Sequence, residues 1–173
     1  QEFDVLSSLY ILETVAPWIV NMNSSTGVTL IDILSMIVAN ASQIKTKTMA
    51  LLSILSVVEK LGKDSSERLS LLTQMIYAMV MSPLTPETVD LHGHSLELLT
   101  TLLDIFGYDC MNENLDNLIQ HLCHFVGMDL SFDTFIFPFL LKVMVIGEQS
   151  SSPRLQLFLN EFSSFIPILE NSV

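Results

Sequence analysis

The chain has 173 residues, of which 50% are apolar and 15% are charged. A chain of this length and composition can bury a sizeable core without disulfides, so a disordered tail is excluded. Seven basic residues against nineteen acidic ones give a formal net charge of −12. Proteins that bind duplex nucleic acid neutralise many phosphates, so this charge argues against such a partner.

The mean hydropathy of +0.52 is high for a chain without a membrane anchor. The two longest uncharged stretches, 14–31 and 69–86, are interrupted by proline, and neither provides the roughly 20 apolar residues of a transmembrane helix. Only two cysteines are present, which favours a reducing compartment inside the cell. Because the first residue is Gln1 and no signal sequence follows it, we expect a segment or subunit of a larger assembly.

Apolar residues recur at three- and four-residue intervals and no segment alternates with period two, so the predicted fold is all-α, as a single domain over residues 1–173. The pairs Thr85-Pro86 and Ser152-Pro153 place a capping residue before a proline at a helix start, and Asp133 is predicted to cap the helix that follows it. The eight predicted helices are 4–20, 28–41, 44–61, 66–81, 86–106, 113–126, 133–146 and 153–169.

Four glycines fall just after apolar periodic runs, where a residue in the left-handed conformation closes a helix. They are Gly62, Gly107, Gly127 and Gly147, at intervals of 45, 20 and 20 residues. One helix and its turn occupy about 20 residues, so the spacing indicates a pair of helices about every 40 to 45 residues. Such a pair cannot bury its apolar faces alone, and stacking of successive pairs is the expected solution.

In its period and helix pairing the chain resembles HEAT and armadillo repeat proteins, although the proline and Asp/Arg residues typical of HEAT repeats do not recur regularly here. The resemblance implies about eight helices stacked as antiparallel pairs in a short right-handed solenoid. A compact helical bundle is the alternative. The resemblance also implies a scaffold, of the kind found in nuclear and genome-maintenance complexes, located in the nucleus or the cytoplasm.

The first predicted helix is apolar on more than one face. Val5 and Leu9 belong to its core stripe, while four further large side chains project from its other faces. A helix that is apolar all round is buried on more than one side, so we predict that a partner chain or another segment of a larger protein covers these side chains. The predicted partner-binding residues are Leu6, Tyr10, Ile11 and Trp18.

Two stripes of phenylalanine lie at helical spacing in the last two predicted helices. They consist of Phe132, Phe135 and Phe139, and of Phe158, Phe162 and Phe165. An aromatic core between the two helices is the expected arrangement. A groove that binds an amphipathic peptide is the alternative.

The spacing of the cysteines and histidines does not predict a metal centre. Cys110, His121, Cys123 and His124 match no zinc-finger pattern. A helix projects consecutive residues about 100° apart, so Cys123 and His124 cannot converge on one ion. Surface histidines and one half-buried thiol are therefore expected.

The sequence around His92 contains a histidine, a serine and nearby carboxylates, as a nucleophilic site does. Residues one or two apart on a helix do not face one another, and no strand–turn–helix motif positions Ser95. We expect a solvated kink at Gly93 instead. Phosphate-binding loops and dinucleotide motifs do not occur in the sequence. We therefore predict no metal, no cofactor and no enzymatic activity.

The charge is unevenly distributed along the chain. Residues 45–68 carry five basic and three acidic side chains, a net charge of +2, whereas residues 69–141 contain nine acids and neither lysine nor arginine. Such a run is typical of a solvated, self-repelling surface. The alternative is an acidic ridge that steers a basic partner and forms a second contact with it.

Together these patterns predict a non-enzymatic scaffold or adaptor that binds a partner protein, as a helix or an extended peptide, in a hetero-complex or a dimer. Neither a membrane nor duplex nucleic acid is expected as a partner. The alternative function is a secreted helical-bundle signalling protein. A disulfide between Cys110 and Cys123, with glycans at Asn23 or Asn40, would favour that alternative.

Overall fold

The structure is a computed structural model that describes residues 5–10, 23–110 and 114–150. Within these ranges 86% of the residues are helical and no strand occurs. The predicted all-α class is therefore confirmed. Over the same ranges, none of the helices is long and apolar enough to span a membrane.

Six α-helices follow the helical residues 5–10 within the described ranges. Their bounds are α1 Ser24–Asn40, α2 Ile44–Leu61, α3 Leu69–Val80, α4 Val89–Phe106, α5 Asn114–Cys123 and α6 Leu130–Ser150. Two 3₁₀ helices supplement them: Gly62–Arg68 leads from α2 into α3, and Gly107–Cys110 follows α4.

The predicted helix 44–61 coincides with α2, while the other predicted helices differ at their ends. α1 begins four residues earlier than predicted because the side chain of Asn23 caps it, accepting a hydrogen bond from Ser25 N at 3.0 Å. α4 begins three residues later than predicted, at Val89. The predicted helix 153–169 and most of 4–20 lie outside the described ranges, so the count of eight helices stays a prediction.

The glycine pattern is confirmed at three of its four positions. Gly62, Gly107 and Gly127 have φ angles of 54°, 66° and 79°, in the left-handed region. At Gly147 the prediction is wrong, because α6 continues through this residue to Ser150. An apolar run followed by glycine is therefore compatible with either ending or continuing a helix, and the local sequence alone does not decide between them.

The predicted cap at Asp133 is also wrong, because α6 begins three residues earlier. Asp129 is the residue at the start of α6, and its Oδ1 accepts a hydrogen bond from Ser131 N at 2.8 Å. Asp133 is buried, and both of its carboxylate oxygens accept from Gly127 N at 3.1 Å. Asp133 thus stabilises the turn at Gly127, which precedes α6.

The helix α4 lies at the centre of the described fold. It packs against α2, α3 and α6, while α1 packs against α2. Its buried leucines are Leu91, Leu96, Leu98, Leu99, Leu102 and Leu103. Because they point in several directions around the helix, α4 contributes to the core on more than one side.

The residues around Gly93 are buried, so the predicted solvated kink is wrong. A Cβ atom at Gly93 would lie 2.4 Å from Cδ2 and 2.5 Å from Cε2 of Phe135, far inside van der Waals contact. The missing side chain lets the Phe135 ring, on α6, reach the backbone of α4. The first phenylalanine stripe therefore contacts α4 through Phe135, and its predicted partners in 153–169 lie outside the described residues.

An ion pair connects α1 with the residue that precedes α3. Arg68 donates from Nε to Asp32 Oδ1 at 2.6 Å and from Nη2 to Oδ2 at 2.9 Å, in a bidentate arrangement. Ser24 adds a hydrogen bond from the same helix to Asp64. The hydrogen bonds from Arg68 hold the pKa of Asp32 below its ordinary value, although desolvation opposes them.

We expect Gly93→Ala to lower the free energy of unfolding by about 1–3 kcal/mol, because the added methyl group collides with the Phe135 ring. Urea unfolding measures this change. In a Phe135→Ala background the same substitution should become neutral or stabilising, since the space is then open and alanine favours a helix by about 1 kcal/mol over glycine. An equal loss in both backgrounds would contradict the assigned contact.

The stabilisation from the Asp32–Arg68 pair should depend on pH. Because the pKa of folded Asp32 is lowered, the pair stabilises the fold fully above the pKa of an unfolded aspartate, about 3.9, and this contribution disappears as the pH falls through the lowered value. Arg68→Met should therefore reduce the free energy of unfolding at pH 7, with the difference from wild type shrinking below about pH 4. Urea titrations across this pH range measure the difference in free energy of unfolding. Lys63→Met is the control, because Lys63 forms no ion pair with any described residue. A difference that does not change with pH would exclude the pair as its source.

Candidate partner-binding surface

The helical residues 5–10 lie over α1 and the start of α2. Leu9 is buried and belongs to the main core, as predicted. Val5 was predicted to share that stripe but is 37% exposed, which is a correction. On one side these residues border α1, and on the other they border Lys45 and Met49 of α2. Leu9 therefore anchors the segment while its neighbours face open grooves.

Two of the four predicted partner-binding residues lie on this segment. Leu6 is half-buried and Tyr10 is 65% exposed, and both line a groove of about 360 Å³ beside Met49. Ile11 and Trp18 lie outside the described residues. The structure thus brings Leu6 and Tyr10 together at one apolar groove on the α2 side.

A larger apolar surface lies on the α1 side of the same segment. Ile33 and Met36 are 51% and 66% exposed, and with Val5 they line a groove of about 610 Å³, while Val5 and Ile33 also line an adjoining groove of about 340 Å³. We call Val5, Ile33 and Met36 the α1 patch. Among the described residues, none that lines either groove is charged. The α1 patch is therefore an uncharged apolar surface open to solvent.

The sequence analysis missed the α1 patch. The signal was present, because seven of the nine residues from Leu30 to Val38 are large and apolar and they occur on all sides of the helix. The rule that identified Leu6 and Tyr10, that a helix apolar all round is covered on more than one side, applies equally to α1. It was applied only to the first helix.

His92 is buried and serves the fold. Its Nδ1 lies 2.8 Å from Thr88 O, and its Nε2 lies 3.2 Å from the hydroxyl and from the carbonyl oxygen of Ser82. With Nδ1 protonated, the ring donates to Thr88 O and Nε2 is within reach of the Ser82 hydroxyl. Ser95 donates to Leu91 O at 2.6 Å. The histidine thus joins the residues before α4 to its first turn, and the Ser82 hydroxyl beside it donates to Met79 O at 2.6 Å.

The remaining histidines and the cysteines are dispersed. His121 Nε2 contacts Val80 O at 3.1 Å, and His124 is exposed with Nδ1 near Gln120 O. Cys110 and Cys123 are both buried, which corrects the expected half-buried thiol, and no disulfide joins them. In the part of the chain that the structure describes, no group of three or more His, Cys, Asp or Glu side chains could hold a metal ion.

The acidic run from 69 to 141 forms an exposed line on α4. Asp90, Glu97 and Asp104 are exposed and recur at helical spacing along its outward side. Asp104 pairs with Lys142, and Glu97 lies 2.9 Å from His94 Nδ1. Two of the three acids thus already have partners within the chain. Contact of this line with a basic partner stays a prediction.

Comparison with known proteins found no match for this chain among protein-family models, curated proteins or solved structures.

His92→Phe should lower the free energy of unfolding by about 1–3 kcal/mol, because the ring still packs edge-on against Phe132 while its hydrogen bonds to Thr88 and Ser82 are lost. Thermal and urea unfolding measure the loss. His124→Phe provides the matched control on an exposed position and should stay within about 0.5 kcal/mol of wild type. Similar effects of the two substitutions would show that the buried hydrogen bonds do not stabilise the fold.

Proposed function

We propose that this chain is a non-enzymatic protein–protein interaction module that binds a partner protein through the α1 patch and the adjoining groove of Leu6 and Tyr10. The observation that supports this is the exposure of Ile33, Met36 and Tyr10, each more than half exposed on neighbouring elements. Large apolar side chains grouped on a surface mark interaction sites, and tyrosine and methionine are enriched at interface centres.

The partner that suits this surface presents apolar side chains. Since the described residues that line the two grooves of the α1 patch are uncharged, a charged partner residue beside them would lose its hydration without gaining an ion pair from them. An interface of standard size buries about 800 Å² on each partner. The binding free energy then comes mainly from burial of apolar surface.

A second part of the proposal is that the helices form a short two-layer repeat of HEAT or armadillo type. The packing order supports it: α1 packs on α2 and α3 on α4, and α2, α4 and α6 contact one another in series. In stacked helix pairs, alternate helices form one layer and each pair touches mainly its neighbours. A compact bundle would bring the first and last helices together, and α1 is not extensively packed on α5 or α6 among the described elements.

The proposed location is intracellular, in the nucleus or the cytoplasm, as one subunit or segment of a larger assembly. Two buried thiols that no disulfide joins suit a reducing compartment. A disulfide between Cys110 and Cys123 would favour the alternative, a secreted signalling bundle, and no disulfide joins the two residues.

Met36→Glu should abolish binding of the partner while leaving the helix content unchanged, because Met36 is 66% exposed and a carboxylate there would have to be buried in an uncharged interface. Met128→Glu is the matched control, since Met128 is 74% exposed on the connection between α5 and α6. Affinity purification of the three tagged chains from a lysate, with quantitative mass spectrometry, measures the effect.

A protein retained at comparable amounts by the wild type and Met128→Glu, and lost from Met36→Glu, is the expected result. Circular dichroism of both variants confirms that they remain folded. If the same proteins are retained by all three chains, the α1 patch is not the binding surface. If Met36→Glu unfolds the chain, Met36 belongs to the core, and Tyr10→Glu then tests the same surface from its other side.

A further inference from the structure

A separate groove lies between α1 and α3, on the side of α1 opposite the α1 patch. Its volume is about 550 Å³. The residues that line it are Ser35, Val38, Ala39, Lys47, Leu71, Gln74, Met75, Ala78, Met79, Ser82 and Leu91. Those on α3 run from Leu71 to Met79 at intervals of up to four residues, so the groove follows one face of that helix for about two turns, or roughly 12 Å.

The shape of the groove suits a helix. Ala39 on α1 and Ala78 on α3 are exposed and stand on opposite walls, so an inserted backbone can approach closely between them. Leu71 is 43% exposed, and the half-buried Met75 and Met79 supply adaptable apolar contacts. A peptide that binds by strand addition would require a sheet edge, and the described residues contain no strand.

The charge of the groove is opposite to that of the whole chain. Among the described residues that line it, Lys47 is the single charged one, although the net charge of the chain is −12. Arg68 and Lys142 pair with carboxylates of the chain, whereas Lys47 forms no ion pair with any described residue. An occupant with a carboxylate beside its apolar side chains would form an ion pair with the ammonium group of Lys47, a half-buried residue.

A second polar group in the groove, the Ser35 hydroxyl, lacks a hydrogen-bond partner among the described residues. Ser35 is only 7% exposed, and its hydroxyl is buried without a hydrogen bond to any described residue. A buried hydroxyl without a partner is unfavourable, by about 1–3 kcal/mol in proteins. A ligand that supplies an acceptor on the α1 wall would remove this penalty on binding.

We propose that the groove between α1 and α3 binds an amphipathic helix of a partner protein, whose apolar face inserts between Ala39 and Ala78 and whose flanking acidic residue pairs with Lys47. Ser35 donates a hydrogen bond to the bound helix. This site is independent of the α1 patch, because the residues that line the two surfaces lie roughly half a turn apart around α1. It selects an acidic helix, whereas the α1 patch is uncharged.

Two synthetic peptides test the charge preference against the full chain. Each is a capped amphipathic helix about 15 residues long with leucines along one face, and they differ only in a glutamate or a glutamine beside that face. We expect the glutamate peptide to bind about three to five times more tightly at physiological salt, the size expected for a partly exposed ion pair. Fluorescence anisotropy measures both affinities.

Variants of two lysines test which residue causes the preference for the glutamate peptide. Lys47→Gln should remove the difference between the two peptides, while Lys60→Gln, which changes the net charge equally at an exposed position of α2 outside the groove, should preserve it. Ser35→Ala should weaken both peptides about threefold. In the unliganded chain, Ser35→Ala should leave the melting temperature unchanged or raise it. If the role of Ser35 were purely structural, the substitution would lower the melting temperature instead.

Filling the groove tests its position. Ala78→Trp should lower the affinity for both peptides at least tenfold. If that variant does not fold, Ala39→Trp repeats the test from the opposite wall of the groove. Equal affinities of the two peptides for the wild type, a preference that persists in Lys47→Gln, or unchanged binding to the folded tryptophan variants would overturn the assignment. Met36→Glu should bind both peptides as the wild type does, so failure of this site is distinguishable from failure of the α1 patch.

Discussion

The burial of α4 is the constraint on which the rest of the described structure depends. The helix contacts α2, α3 and α6 at once, so it accepts only side chains that are apolar or internally hydrogen-bonded over most of its circumference. His92 and Ser95 meet this requirement through carbonyl oxygens of the preceding turn or connection, and Gly93 meets it by having no side chain where Phe135 approaches. The narrow remaining face is where the acidic residues of α4 lie.

Periodicity predicts those features of this fold that depend on neighbours along the chain. The limits of α2 and the left-handed conformation of Gly62, Gly107 and Gly127 follow from local patterns. Gly147 shows the same pattern but continues its helix, and Asp129 rather than Asp133 caps α6. Such choices are decided by contacts between elements distant in sequence, as is the tight approach at Gly93. No local pattern contains that information.

The candidate partner-binding surface, like the fold, could be predicted only in part from local sequence patterns. A helix with apolar residues on every side indicates a missing neighbour, and this reasoning selected Leu6 and Tyr10, which lie at an open groove. The same reasoning, extended to α1, would have found Ile33 and Met36. It does not distinguish side chains that cover a neighbouring helix from those that remain exposed, and of Val5 and Leu9, both assigned to the core stripe, only Leu9 is buried. The groove with Lys47 and Ser35 combines residues from four helices and a connection, and only the folded chain brings them together.

The ion pair between Asp32 and Arg68 has a mechanical consequence for that groove. Arg68 immediately precedes α3, and Asp32 lies one turn before Ser35 on α1, so the pair fixes the separation of the two helices at one end. Toward Ala39 and Ala78, no described ion pair or side-chain hydrogen bond connects α1 with α3. The cleft between the two helices is therefore fixed by charge at its Asp32 end, whereas near Ala39 and Ala78 it is bounded by side-chain packing among the described residues.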